Sequence, residues 1–374
     1  MKDIVYTSRH CSRTVYQTKN DGDPKHCRCK PPTKGKVLLT GGSGFIASHV
    51  LDCLLDHGFE VVVTARSREK GERIVKSIDS ALGKRISYVV VENIAKDGAF
   101  DKVVQADPPF DYVVHTASPY QLYFDDPVRD CLDPAIKGTT GILKSLKTHA
   151  PNVKRVVITS SSAAILNAHD HREVYDESSW ADTTWEQAME PMHTYRASKK
   201  FSEKAAWDFV ETAKPHFDIA TINNTYTFGP IPRSLSSLNT LNTSNQRIYD
   251  IVRGKMREEI APTSPVFTFV DVRDVALAHV RALLVPEAGG KRFYVVGGFF
   301  SNPKLAGIIR EGWPEMMKSR LPKEEDIKDD FPSDHWKFDN SRSRTVLGIE
   351  YRGLEGSVKD TVESILKATG GGLK

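Results

Sequence analysis

The 374-residue sequence predicts an α/β protein with a doubly wound parallel sheet and a smaller C-terminal domain. Short apolar runs, which are typical of strands buried on both faces, alternate with longer stretches of helical periodicity. A glycine-rich turn follows the first of these runs and leads directly into a helical stretch. Both features indicate successive βαβ units, whose strands pair in parallel. The predicted strands are Val37–Thr40, Glu60–Thr64, Ile86–Val91, Tyr112–His115, Val156–Thr159 and Ile219–Ile222.

Composition and charge exclude several classes of protein. Hydrophobic residues make up 39% of the chain and charged residues 27%, as in a folded globular protein. No apolar run reaches the roughly 18 residues that a membrane-spanning helix needs. Residues 1–36 carry nine basic and three acidic side chains, so the net charge of +4 leaves −2 for the rest of the chain. We therefore predict that residues 1–35 are a disordered basic extension and that the protein has no nucleic-acid partner.

Cysteine usage and the extension itself exclude further possibilities. Five cysteines are too few for a disulfide scaffold. The cysteines and the histidine near residue 27 do not have the spacing of a usual zinc site, so no metal is predicted. The extension lacks the apolar core of a secretory signal, and its three aspartates weigh against a mitochondrial one. The sequence therefore predicts a cytoplasmic protein that is not bound to a membrane.

The first βαβ unit has the features of a dinucleotide-binding site. Gly41 permits a tight turn after the first strand, Gly44 lets a pyrophosphate approach the backbone, and the small Ala47 allows the helix to pack on the strand. The amino terminus of this helix presents free N–H groups and the positive end of the helix dipole to phosphates. The turn is completed by Ser43, Phe45 and Ile46, which we include in the predicted cofactor site.

The end of the second strand indicates which dinucleotide is bound. An NAD-binding protein usually has Asp or Glu there, to accept hydrogen bonds from the ribose 2′-hydroxyl. In this sequence Arg66 stands at that position, and Lys70 follows four residues later. A guanidinium suits a phosphate because it donates two parallel hydrogen bonds. The sequence therefore predicts NADPH rather than NADH.

A tyrosine–lysine pair supplies candidate proton chemistry. Tyr195 and Lys199 are four residues apart at the predicted start of an amphipathic helix, so their side chains share one face. An ammonium beside the phenol lowers the tyrosine pKa, which suits proton transfer to a carbonyl oxygen near neutral pH. The pair alone is weak evidence, but it follows the glycine turn and the serine-rich strand end at Thr159–Ser162. That order predicts a catalytic pair, with a serine hydroxyl holding the same oxygen.

These motifs together resemble the extended short-chain dehydrogenase/reductases. The branch that the sequence resembles is the dihydroflavonol reductase-like one, and within it the fungal and yeast NADPH-dependent aldehyde and ketone reductases of the methylglyoxal type. The similarity extends from about Lys36 to about Leu366. The residues that carry it are Thr40–Ala47, Arg66–Lys70, His115–Pro119, Thr159–Ser161, Tyr195–Lys199, Phe269–Ala276, Asp339–Ser341 and Leu347–Gly348.

The resemblance implies a role for each matching residue. The catalytic triad falls on Ser161, Tyr195 and Lys199, with Ser160 and Ser162 as alternatives for the serine. A hydride passes to the carbonyl carbon of a small aldehyde or ketone, while Tyr195 protonates the oxygen. Lys199 also contacts the nicotinamide ribose. The implied cofactor contacts are Gly41, Ser43, Gly44, Phe45, Ile46, Arg66, Lys70, Asn93, Ile94, Thr116, Ala117, Ser118, Tyr195 and Lys199.

The rest of the chain is expected to bind the substrate. We predict an NADP-binding Rossmann domain over 36–229, completed by about 263–298, and a substrate-binding domain over 230–262 and 299–374. Tyr120, Ser161, Leu166 and Tyr195 are the candidate substrate contacts, although Tyr120 and Leu166 suit ordinary packing equally well. Residues 235–244 have the composition of a mobile lid. We expect the acidic and basic residues of 271–274 to brace the fold by ion pairs.

The sequence departs from the family pattern at two positions. Asn224 stands where the family usually has Pro, in a loop that the resemblance places near the nicotinamide, and Asn93 stands where Asp is frequent. Two other functions use the same fold: an NAD-dependent sugar-nucleotide epimerase or dehydratase, and a non-catalytic NADP-sensing protein. Arg66 argues against the first, and the complete triad argues against the second. The expected oligomeric state is a monomer or a homodimer.

Overall fold

The computed structural model describes residues 34–118, 125–167, 169–263 and 265–370. The strands in these ranges are β1 (Lys36–Thr40), β2 (Glu60–Ala65), β3 (Ile86–Val90), β4 (Tyr112–His115), β5 (Arg155–Thr159), β6 (Val174–Tyr175), β7 (Asp218–Asn224), β8 (Tyr226–Phe228), β9 (Thr268–Asp271), β10 (Lys291–Val295), β11 (Gly298–Phe299) and β12 (Lys337–Phe338). The α-helices are α1 (Phe45–Asp56), α2 (Arg68–Ser77), α3 (Asp101–Val104), α4 (Asp133–His149), α5 (Pro191–Ala213), α6 (Thr243–Val252), α7 (Val272–Leu284), α8 (Asn302–Gly312), α9 (Pro314–Met317), α10 (Ser341–Leu347) and α11 (Leu354–Ala368).

Seven strands pair in parallel into one sheet, in the order β10-β7-β5-β4-β1-β2-β3. The chain runs outward from β1 to β3 and then starts again at β4, on the other side of β1. The two central strands are in register from Val37 opposite Tyr112 to Thr40 opposite His115. Because the strand order reverses between them, their carboxyl ends form the crevice in which such sheets bind ligands. The predicted doubly wound fold is confirmed.

Two apolar layers cover the sheet. On one face α1 and α7 pack against it through residues such as Val50 and Val275, and on the other α4 and α5 pack through Ile142 and Ala206. Central strands such as β1, whose five residues are all buried, read as continuous apolar runs because both faces are covered, which is why their positions could be predicted from the sequence. Each predicted strand is present, with ends that differ by no more than two residues.

A third apolar cluster lies outside the main sheet. It joins β8 and β9 to α6, α8 and α11, and Phe228, Ile251, Ile309 and Val362 are among its fully buried members. The strands β8, β9 and β11 form a small separate sheet beside it. The described residues from Lys34 onward belong to one compact unit. In that part of the chain, we find no helix with the length and apolar character that crossing a membrane requires.

The helix that carries the tyrosine–lysine pair begins earlier than predicted. It starts at Pro191, one turn before Tyr195, so the prediction that Tyr195 opens the helix was wrong. Proline is favoured in the first turn of a helix because its φ is already suitable and its missing N–H has no partner there. Tyr195 and Lys199 therefore both lie within regular helix, where a four-residue spacing puts them on one face.

The predicted bracing by residues 271–274 is confirmed. Asp271 caps α7 and pairs with Arg273, whose guanidinium also lies 2.6 Å from Asp360 of α11. Asp274 pairs with Arg352, which precedes the same helix. These ion pairs join α7, which packs on the main sheet, to α11 of the third cluster.

Candidate active site

The turn between β1 and α1 is shaped for close approach of a ligand. Gly41 has φ +70°, a left-handed conformation that favours glycine, and a Cβ there would lie 2.9 Å from Cα of Ala117. The N–H of Gly44 donates to the carbonyl of Gly41 at 2.8 Å, which closes the turn. Within the part of the chain that the structure describes, no side chain caps the amino terminus of α1, so its N–H groups stay available to an anion. The turn therefore fits the pyrophosphate of a dinucleotide.

The segment after β2 presents two cations without acidic partners. Arg68 pairs with Glu72 at 2.9 Å and Arg73 pairs with Glu69 at 2.5 Å, within α2. By contrast, Arg66 and Lys70 are exposed and form no ion pair with any residue in the described ranges. The side chain of Ser67 caps α2, so a helix amino terminus lies at the same place. This arrangement suits the 2′-phosphate of NADPH.

The residues after β4 connect the turn to helix α5. Thr116 donates its hydroxyl to the carbonyl of Thr40 at 2.5 Å, and the N–H of Ala117 donates to the Thr40 hydroxyl at 3.1 Å. The next residue, Ser118, accepts a hydrogen bond from Nζ of Lys199 at 3.0 Å. The fold thus brings the predicted cofactor contacts at the ends of β1 and β4 to the predicted catalytic lysine.

Lys199 and Tyr195 are close together, as predicted. The Lys199 ammonium lies 6.0 Å from the centre of the Tyr195 ring. Burial lowers the pKa of Lys199 to about 8, because the charged form loses hydration that its neighbours only partly replace. The neighbouring His115 is buried and its pKa falls to about 3, again through loss of hydration, so it is neutral at physiological pH. Lys199 is therefore the cation of this site.

The structure distinguishes the three serines after β5. Ser160 is buried and donates its hydroxyl to the carboxylate of Glu203, so its proton is already used. Ser162 is also buried, with 6% of its surface exposed. Ser161 is half-buried and caps a short helical turn by accepting from the N–H of Ala163 at 3.1 Å, which leaves its own hydroxyl proton to donate. These differences favour Ser161 as the serine that faces a substrate.

Several predicted contacts lie apart from this centre. Asn93 is exposed after β3 and accepts from the N–H of Ala95, while Ile94 packs near Gly138 of α4. Their contact with the adenine side of the cofactor stays a prediction. Leu166 is 1% exposed and packs with Tyr175 and Trp336, so the structure places its side chain in the core rather than on an open surface. Tyr120 lies outside the described residues.

Two other expected features have defined places. Leu235, Leu241 and Asn242 of the predicted lid line a pocket together with Ser43 and Phe45 of the glycine turn. Asn224, in place of the family's proline, ends β7 in register with Val295 of β10 and donates to the hydroxyl of Thr227 at 3.0 Å. A proline lacks the backbone N–H that a strand pairing of this kind uses. Asn224 thus lies at a strand position that a proline would disfavour.

A buried polar cluster behind the site was missed by sequence reasoning. Its centre is Glu203, and Arg292, Thr221 and Asn223 donate to the same carboxylate. The sequence signal that could have indicated it is that Glu203 follows Lys199 by four residues, as Lys199 follows Tyr195, so all three share one helix face. This spacing is equally typical of exposed helix faces. Only the packing of α5 against β5, β7 and β10 shows that the carboxylate is inside.

Comparisons with known proteins identify the family and similar reductases. Residues 37–297 match the NAD dependent epimerase/dehydratase family. The chain is 54% identical over 332 residues to the ketoreductase azaE of Aspergillus niger, covering 89% of this chain and 98% of that protein. It is 35% identical over 346 residues to the NADPH-dependent methylglyoxal reductase GRE2 of Saccharomyces cerevisiae, covering 89% and 99%.

Solved structures of similar reductases have the same fold as this chain. The crystal structure of Gre2 from Candida albicans in complex with NADPH superposes with a TM-score of 0.83 at 35% identity, covering 90% of this chain and 99% of that one. Yeast methylglyoxal/isovaleraldehyde reductase Gre2, also complexed with NADPH, superposes with a TM-score of 0.81 at 34% identity, covering 90% and 99%.

Proposed function

The chain belongs to the NAD dependent epimerase/dehydratase family, and we propose that it is an NADPH-dependent reductase of small aldehydes or ketones. The predicted resemblance to fungal and yeast reductases of this family is confirmed. The observation that carries the proposal is the position of Lys199, which bonds to Ser118 at the cofactor crevice and lies 6.0 Å from the Tyr195 ring. Lys199 therefore contacts both the cofactor crevice and Tyr195, the proposed proton donor.

In the proposed reaction, Tyr195, Ser161 and Lys199 each have a separate role in delivering a proton to the carbonyl oxygen. When bound, NADPH supplies the hydride that reduces the carbonyl carbon. Tyr195 donates its phenolic proton to the carbonyl oxygen, and Ser161 donates a hydrogen bond to the same oxygen. Lys199, as an ammonium, stabilises the phenolate that remains on Tyr195. The glycine turn and the amino terminus of α1 would hold the pyrophosphate, and Arg66 and Lys70 would hold the 2′-phosphate.

The alternatives are less well supported. Arg66 and Lys70, which form no ion pair with the described residues, favour NADPH over the NAD that an epimerase or dehydratase of sugar nucleotides would use. The Ser161 hydroxyl, which is free to donate, and the intact tyrosine–lysine pair on α5 together favour catalysis over cofactor sensing alone. Both A. niger azaE and yeast GRE2 are named as reductases.

The proposal is tested by fluorescence titration with NADPH and NADH, followed by assays with aldehydes, ketones and diketones. We expect NADPH to bind more tightly and to be oxidised in the presence of at least one carbonyl compound. Preference for NADH, or binding of NADPH without oxidation by any compound of a broad panel, would contradict the reductase.

Arg66→Ala is expected to weaken NADPH binding while leaving NADH binding unchanged. A charge-assisted pair with the 2′-phosphate contributes about 1.5–3 kcal/mol, which corresponds to roughly 10- to 100-fold in Kd. The measurement is a titration of each variant with both cofactors, and Arg68→Ala is the matched control because Arg68 already pairs with Glu72. An equal loss for NADPH and NADH would show that Arg66 does not recognise the 2′-phosphate.

The pH dependence should follow Lys199. Because burial lowers the pKa of this lysine to about 8, raising the pH through that value removes the ammonium that favours the Tyr195 phenolate. We therefore expect kcat/KM for NADPH, which reports on the free enzyme, to fall above pH 8. A profile that stays flat from neutral pH to well above this value would refute the assignment.

Two further parts of the proposal concern the protein as a whole. We infer a cytoplasmic enzyme that acts as a monomer or a homodimer. Light scattering of the purified full-length chain measures the oligomeric state, and fractionation of cells measures the location.

A further inference from the structure

The carboxylate of Glu203 is held inside the protein, one helical turn beyond Lys199. Only 2% of the residue is exposed, yet both oxygens are hydrogen-bonded. One oxygen accepts from Nε of Arg292 at 2.7 Å, from Thr221 at 3.0 Å and from the Trp207 indole at 3.3 Å. The donors lie on β10, on β7 and on α5 itself, so this oxygen joins the helix to the edge of the sheet.

The other oxygen is tied to the serine-rich end of β5. It accepts the hydroxyl of Ser160 and, at 2.7 Å, the amide of Asn223. The same amide nitrogen lies 3.3 Å from the carbonyl oxygen of Ser161. Ser160 is in turn fixed on β7, because its N–H donates to the carbonyl of Ile222 at 2.9 Å. Glu203 thus contacts the residue before Ser161 directly and Ser161 itself through one amide.

Glu203 also lies in the electrostatic surroundings of Lys199. The titratable groups facing this lysine are His115 on β4, the Cys131 thiol before α4, and Tyr195 and Glu203 on α5. His115 is neutral at physiological pH, and burial raises the pKa of Cys131, so the thiol is neutral as well. Among these groups Glu203 supplies the carboxylate that favours the lysine ammonium, although the same carboxylate also forms an ion pair with Arg292.

We propose that Glu203 is a positioning residue for the reduction: its buried carboxylate fixes the Ser160–Ser161 end of β5 relative to helix α5, which carries Tyr195 and Lys199, and provides the negative charge that favours the Lys199 cation. The proposal rests on the proposed function. A hydrogen-bonded carboxylate suits this task because it accepts several donors at once and fixes them relative to one another. Displacement of a reacting group by about 1 Å costs roughly 10²-fold in rate, so small shifts of Ser161 matter.

Two substitutions separate geometry from charge. Ser160→Ala removes the hydrogen bond between the serine run and Glu203 but keeps the negative charge of the Glu203 carboxylate. Glu203→Gln removes that negative charge as well. We expect kcat to fall in both, by about tenfold or more in Glu203→Gln, with the Kd of NADPH unchanged. The fall of kcat/KM at high pH should move to lower pH in Glu203→Gln and stay in place in Ser160→Ala. The kcat of the double variant should be little lower than that of Glu203→Gln, because both substitutions remove the same Ser160–Glu203 contact.

Glu177→Gln is the matched control. Glu177 is also buried, but its carboxylate accepts from the N–H of Tyr294 on β10, and none of its hydrogen bonds or ion pairs in the described structure reaches α5. A structural loss common to buried carboxylates would lower the thermal midpoint of both Gln variants and leave kcat per folded molecule and the pH profile unchanged. That result would overturn the proposal.

The remaining outcomes also decide the question. If Glu203→Gln does not fold, an unchanged kcat in Ser160→Ala overturns the positioning role, and a reduced kcat at unchanged NADPH affinity supports it. If the wild-type protein oxidises no NADPH with any carbonyl compound, the proposed function fails instead. The two failures are distinguished by wild-type turnover.

Discussion

Tyr195→Phe is expected to abolish carbonyl reduction and to leave NADPH binding intact. The substitution removes one hydroxyl, and with it the proton that the carbonyl oxygen must receive, while the ring and helix α5 stay in place. Loss of a positioned general acid costs about 10²–10⁴-fold in rate. Steady-state NADPH oxidation measures the rate, and fluorescence titration measures the binding.

The control for this variant is Tyr112→Phe. Tyr112 begins β4, at the end of the strand opposite to the crevice, and its ring packs beneath the ammonium of Lys154. This variant should keep wild-type turnover. Substantial turnover in Tyr195→Phe would mean that another group donates the proton, and loss of NADPH binding would mean that the phenol serves the cofactor rather than the reaction.

Gly41→Val is expected to eliminate NADPH binding and therefore all turnover. The residue has φ +70°, and any Cβ would come within 2.9 Å of the Ala117 backbone, so the turn between β1 and α1 has to move. The left-handed conformation alone costs a residue with a Cβ about 1–2 kcal/mol. The clash acts on the two strand ends that form the crevice, so the loss should appear in cofactor affinity as well as in stability.

Gly290→Val is the control that separates the cost of the left-handed backbone conformation from the clash of a Cβ with Ala117. Gly290 has nearly the same φ, +71°, but a Cβ there would meet no atom within 4 Å, and the residue precedes β10 at the opposite end of the sheet. It should lower the thermal midpoint and leave the Kd of NADPH unchanged. If Gly41→Val bound NADPH as tightly as this control, the glycine turn would not hold the pyrophosphate.

The strands, the first βαβ unit and the cofactor preference could be predicted from the sequence because their signals are local. A strand buried on both faces is apolar throughout, as Val37–Thr40 is, whatever the rest of the chain does. The glycine turn needs its residues within seven positions, and Arg66 follows its strand directly. The tyrosine–lysine pair is likewise defined by one helical turn, although the helix begins at Pro191 rather than at Tyr195.

Tertiary structure alone decided what depends on contacts between distant segments. Ser160, Ser161 and Ser162 are chemically identical in the sequence, and they differ because Glu203, 43 residues after Ser160, accepts the Ser160 hydroxyl and because Ser162 is buried while Ser161 is half-buried. Leu166 suited a substrate pocket and the core equally well until its packing with Trp336 placed it in the core. The sequence by itself therefore determined the fold, the dinucleotide turn and the candidate catalytic pair, whereas the available serine and the carboxylate behind it were decided by packing, because burial depends on the whole chain and not on neighbouring residues.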